Sequence, residues 1–331
     1  MEAQKNLFTS LPAELSPMVL QLSQEFHNSL SENSSTSLLQ IITPHKNKQN
    51  QLASWFYTEQ RRALLERYSL EHKGDPDLHQ NLITLLSNSE SLAYQWLQAI
   101  PNKGLDQVMP NISYTTMLKI RLCIPVFKAG ICKNCGKMAT ASGFHAYLCS
   151  CLFNFRHARH EIVSEAVVQV LRSGGFNPVK NAKVCCLGSK YQALRPADIL
   201  SDGDRVGSRV CIDVTVVSNM CANFSTPYIV GKAALEADTL KTVKHKESCE
   251  KAGYEFQAFA SDTSGVLSPA SYLYLCRIAT SYAVIANRPY AYALSLCLRR
   301  VSFAIQKGLA YQLTSSPSFI PTNTEDVFDL S

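Results

Sequence analysis

Residues 209–217, RVCIDVTVV, are apolar at odd and even positions alike, with a single acid inside. Successive side chains of a strand point to opposite faces, and β-branched residues suit that geometry. A strand apolar on both parities has to be covered on both faces. The segment therefore predicts an interior strand of a layered α/β domain and excludes a sheet open to water on one side. Its surroundings agree. Residues 159–172 predict an amphipathic helix stopped by Gly174-Gly175, and strands are expected over 176–186 and 195–201. A charged helix is expected over 229–252, a further strand over 254–260, and closing helices over 269–286 and 290–312.

Upstream the pattern is helical. Residues 51–125 predict a separate helical region, with helices over 51–86, over 90–100 before Pro101, and over 113–123 before Pro125. Trp96 is expected in its core. Residues 1–50 read as a weakly structured leader, with a short amphipathic helix at 11–30 and a polar linker at 29–37. Residues 126–154 form a cysteine-rich module, 155–312 the α/β domain, and 313–331 a loose acidic tail. With 46% apolar and 18% charged residues among 331, the chain is too apolar for dominant disorder. The longest apolar stretch, 271–286, contains Arg277 and falls short of the ~20 residues of a membrane span. No apolar run follows Glu2 and Lys5, so no secretory signal is expected. The expectation is a soluble intracellular protein without a membrane partner, nuclear if the source is eukaryotic.

Twelve cysteines in a reducing compartment point to metal ligation before disulfides. Cys132 and Cys135, separated by two residues and followed by Gly136, can bind one ion from a tight turn. His145 follows after nine residues and Cys149 after three more, a spacing that predicts a closed, structural Zn²⁺ site. Cys151 is an alternative to Cys149, and buried free thiols are the bland alternative. Charge is uneven too. Residues 119–190 hold eleven Lys and Arg against Glu161 and Glu165, while the whole chain is only +6. Such an imbalance suits a polyanion, or simply a solvated basic face.

Two acids stand out. Asp198 opens an apolar segment and Asp213 sits among β-branched residues. A buried carboxylate costs several kcal/mol unless a cation or hydrogen bonds compensate. On adjacent strands the pair can share a hard ion such as Mg²⁺ or Mn²⁺. The alternative pairs Asp198 with Arg195 and ties Asp213 to a turn.

Taken in order, the CCHC cluster, Arg159-His160 opening a helix, Arg195-Pro196-Ala197-Asp198, Asp213-Val-Thr-Val and Lys241-Thr-Val-Lys244-His245 resemble a known arrangement. It is the restriction-like endonuclease of site-specific non-LTR retrotransposons, a PD-(D/E)xK nuclease with a zinc knuckle before it. The likeness runs over about 91–310, including SLAYQWLQAIP ahead of the knuckle. It implies a restriction-endonuclease-like mixed sheet flanked by helices and a divalent-metal-dependent endonuclease acting on DNA, with RNA as the other polyanion. Asp198 and Asp213 match the metal-binding acids. Thr215 stands where a Lys is usual, and Lys241 takes over that place from the following helix, with Lys244 one turn on along the same face. His245 replaces a frequent Tyr, and Glu165 matches an additional acid of some members. Lys133, Lys137, Arg156, Arg159, His160 and Arg195 are the expected nucleic-acid contacts. No Tyr-x-Asp-Asp polymerase signature is present. The competing reading is a cleavage-dead nucleic-acid-binding module, favoured by Thr215 and opposed by the intact acid pair. A purely structural partner protein is the third.

Overall fold

The computed structural model describes residues 58, 61–67, 76–149, 152–181, 198–203, 207–220 and 228–315. The chain divides into two compact units, Met1–Ala63 and Leu64–Ser331. Residues 58 and 61–63 of the first are helical. The expected 1–50 leader, the first part of the 51–86 helix, most of the 176–186 strand and Arg195 lie outside the described residues. The second unit is a mixed α/β structure, and among its described residues no helix is long and apolar enough to cross a membrane.

Its elements are α1 (Pro76–Ser87), α2 (Asn111–Arg121), β1 (Gly130–Ile131), β2 (Met138–Ala139), α3 (His145–Leu148) and α4 (Phe153–Ser173), followed by β3 (Val179–Lys180), β4 (Ile199–Asp202), β5 (Arg209–Val217), α5 (Lys232–Lys251), β6 (Glu255–Asp262), α6 (Pro269–Ile285) and α7 (Tyr290–Thr314). The larger sheet has the order β3-β4-β5-β6, antiparallel for the first two pairings and parallel for the last. β5 is interior and covered on both faces. Val210, Ile212 and Val214 face the main core with Val163, Val167, Leu275 and Ile278. Cys211 joins Leu200, Cys249, Tyr254 and Phe256 on the opposite face.

Local chemistry sets the boundaries. α4 ends where Phe176 N–H reaches the Leu171 carbonyl at 3.1 Å across Gly175 at φ +79°, the left-handed cap that glycine permits. A Cβ at Gly175 would also lie 2.5 Å from Ile285 Cδ1. α6 starts with Ser268 accepting from Ser271 N–H and Pro269 at the first helical position, where no N–H is required. The Ser268 hydroxyl also donates to Asp238, tying α6 to α5.

Two expectations change. Residues 90–100 form turns and one 3-10 turn, Gln95–Gln98, not a helix. Ala99 is already extended two residues ahead of Pro101, and the Trp96 N–H goes to Ser302 Oγ of α7. The helical region is also not separate. Ile83, Trp96 and Met117 share one core with Val301, Ile305 and Leu313 of α7, so the described residues of 76–125 fold with the α/β part. α7 itself runs past 312, with Leu313 fully buried.

Candidate functional site

Two constellations of reactive side chains emerge. The first is built on the β1–β2 hairpin and α3. Cys132 leaves β1, the chain reverses through Gly136 at φ +71°, and Gly136 N–H returns to the Cys132 carbonyl at 2.8 Å. His145 opens α3 and Cys149 caps it. The ligand atoms of Cys132, Cys135, His145 and Cys149 all lie within 4.8 Å of one another, with Cys135 Sγ 3.2 Å from His145 Nε2. Burial opposes ionisation of the Cys132 thiol, yet the N–H groups of Asn134 and Cys135 and the side chains of His145 and Cys135 pull it down to about 6. Three thiols and an imidazole gathered this closely fit a metal such as zinc in a closed tetrahedral set. Cys151 lies outside the described residues.

The second constellation sits where β4 and β5 part. Asp198 directly precedes β4, and Asp213 follows Ile212, the partner of Ile199. The Asp198 carboxylate replaces a ladder acceptor: its Oδ2 takes the Val214 N–H at 2.7 Å and the His160 Nε2 at 3.0 Å. Burial alone would raise the Asp198 carboxyl, but its bonds to His160 and Val214 and the Lys241 charge hold it below the ordinary value. Asp213 is 4% exposed and lies under α5. Lys241 Nζ donates to its Oδ1 at 2.9 Å and its Oδ2 at 3.0 Å, and His245 Nε2 lies 3.5 Å from Oδ2. Burial nevertheless pushes the Asp213 carboxyl up to about 6 against the pull of Lys241, with Asp198 adding to the rise.

The structure thus brings together Asp198, Asp213 and Lys241. Other expected members fall elsewhere. Glu165 is half-exposed and turned to Lys180 at 3.6 Å. Among the described residues it forms no ligand group with the two acids. Lys244 points to solvent, since the residue stacked one turn beyond Lys241 toward the sheet is the i+4 position, His245, not i+3. Arg159 is interior at 6% exposure, with Nη1 on Gln312 Oε1 at 3.0 Å and Nη2 on the Val216 carbonyl at 2.9 Å. Burial lowers its pKa to about 10, and it is a structural strut, not a surface contact. His160 serves Asp198. Arg156 is half-buried, and Lys133 and Lys137 are exposed beside the cysteine cluster.

Sequence reasoning missed the chain of partners behind His160. Its Nδ1 lies 3.5 Å from Glu161, which Lys180 Nζ holds at 2.9 Å. The signal was the acid directly after Arg159-His160, which lies beside His160 at the edge of the site. Against known proteins, no family model matches the chain and no curated protein matches it.

Proposed function

We propose that the chain is a divalent-metal-dependent DNA endonuclease with a restriction-endonuclease-like core and a structural zinc site, as its resemblance to the endonuclease of site-specific non-LTR retrotransposons implies. The observation that carries this reading is the ion pair of Lys241 with buried Asp213 beside Asp198 at the point where two strands separate. Burying two acids side by side costs free energy, and phosphodiester hydrolysis uses that arrangement of two carboxylates and a cationic group.

Asp198 and Asp213 are oxygen donors of the kind Mg²⁺ and Mn²⁺ take, and they would hold such an ion. When bound there, the ion supplies Lewis-acid polarisation of the phosphate and relief of its charge. Lys241, released from Asp213, is placed to donate to the developing negative charge. The Val214 N–H and His160 keep Asp198 oriented, so its carboxylate does not have to be reorganised. The test is nicking of duplex and single-stranded DNA, and of RNA, with and without Mg²⁺ or Mn²⁺. Metal-dependent cutting of DNA that disappears in Asp213→Ala supports the reading.

A cleavage-dead nucleic-acid-binding module is favoured by one feature: Lys241 and His160 already satisfy the two carboxylates without an ion. Wild-type protein that binds DNA with steep salt dependence and never cuts it would establish that alternative.

A further inference from the structure

The cysteine cluster carries a feature that metal binding does not use. In the β1–β2 hairpin Ile131 and Met138 are cross-strand partners, and they are 70% and 65% exposed. The other face of the same hairpin turns inward: Cys132 is 1% exposed and Ala139 6%. Directly paired residues lie side by side, roughly 4.5–5.5 Å apart at Cβ. The hairpin therefore projects a two-residue aliphatic blade from a base fixed by the cluster. Lys128, Lys133 and Lys137 flank it along the chain, all exposed and with no ion pair among the described residues. No acid occurs between residues 119 and 160.

We infer that this hairpin is a wedge for duplex DNA, with the lysines on the phosphates and Ile131 and Met138 pressed between two base pairs. The inference rests on the nucleic-acid reading above, but not on cleavage. Cationic charge around the blade suits a polyanion and disfavours an apolar protein surface, which would leave three lysines desolvated. Aliphatic side chains are the type that proteins insert at base steps to unstack and kink a duplex, whereas platforms for single strands use aromatic rings. A hairpin of two-residue strands would be too pliant for this work alone. The gathered ligands Cys132, Cys135, His145 and Cys149 supply the rigid base.

A wedge prefers DNA that has already lost stacking, because the unstacking energy is then absent. The experiment compares binding of the full chain to a 30-base-pair duplex (a length of roughly three helical turns) with and without a central two-nucleotide bulge. Wild type is expected to bind the bulged duplex about tenfold tighter, a 1.4 kcal/mol difference. Ile131→Ser/Met138→Ser should lose this preference while keeping its metal and the salt dependence of binding. Lys128→Gln/Lys133→Gln/Lys137→Gln should keep the preference but lower the slope of log K against log salt by about 0.9 for each lysine that contacts a phosphate. Equal affinity of wild type for both duplexes, or a preference that survives in the Ile131/Met138 variant, overturns the wedge. An unchanged salt slope in the lysine variant instead overturns the nucleic-acid reading of this face. Metal content measured for each variant shows that the hairpin is still formed.

Discussion

Gly308, in the C-terminal half of α7, packs against Arg159 of α4: a Cβ at position 308 would lie 2.8 Å from Arg159 Cγ and 3.1 Å from its Cα. Replacing an interior helical glycine by alanine ordinarily stabilises by roughly 0.5–1 kcal/mol. Here the sign reverses, because the Arg159 backbone is itself in the way. Gly308→Ala is expected to destabilise the fold by about 1–3 kcal/mol, the usual cost of overpacking. Urea denaturation measures it, and a more stable variant would contradict this packing.

Removal of one cluster ligand should cost the metal. Cys135→Ser is expected to purify without the roughly one zinc per chain expected of wild type and to melt earlier, since metal binding is coupled to folding. Protons compete with metal for thiolates. With the Cys132 thiol at about 6, zinc retention should fall as the pH drops below that value. Metal analysis after dialysis across pH 7 to 5 checks both statements.

Lys241→Met separates chemistry from binding. Loss of one preorganised cationic group typically costs 10²–10³-fold in rate, and cutting should fall by about that factor while DNA affinity stays close to wild type. The variant also leaves Asp213 without its closest cation, a loss of roughly 1–3 kcal/mol in stability. Asp213→Asn in the same background should recover much of that stability and none of the cutting, read by thermal denaturation and nicking.

Asp262, at the end of β6, is fully buried. Its Oδ1 accepts from Ser264 and Val266 N–H, while Oδ2 has no partner. Burial pushes its carboxyl up to about 7 against these hydrogen bonds. The unfolded chain then loses its proton first. Below the ordinary value of 3.8 both states are protonated, and between there and about 7 the folded state becomes progressively less stable. Asp262→Asn removes this dependence. Its stability relative to wild type should improve from pH 4 to 7 and level off above, by up to about 4 kcal/mol. A difference independent of pH would show that Asp262 ionises normally.

Strand periodicity carried far. Arg209–Val217 coincides with the expected 209–217, because β-branched residues on both parities leave little else for that segment to do. Helices α6 and α7 began where Pro269 and Tyr290 suggested. α4 began six residues earlier than expected, at Phe153, because its first turns carry Asn154 and His157 to solvent and show no apolar period. In the site, Asp198, Asp213 and Lys241 were legible through their order. The inward turn of His245 and the burial of Arg159 were not. Both depend on which helix face meets the sheet, and a basic residue in an amphipathic helix gives no sign that Gln312 and the Val216 carbonyl await it.

The long helix α7 has a consequence for the order in which the chain assembles as it leaves the ribosome. The ligands Cys132 to Cys149 are neighbours in sequence, so a metal can close that module early, with little loop entropy to overcome. Its Ala146 carbonyl, however, waits for Gln312 Nε2, at 2.7 Å in the finished fold. The same glutamine accepts from Arg159, Ser302 accepts from the Trp96 N–H, and Lys307 donates to Asp106. Until residue 313 is synthesised, the apolar faces of α2, the 3-10 turn and α4 that α7 covers lack that cover. A nascent chain stalled before Tyr290 would present those faces to chaperones, and release of α7 would bury them in one cooperative step.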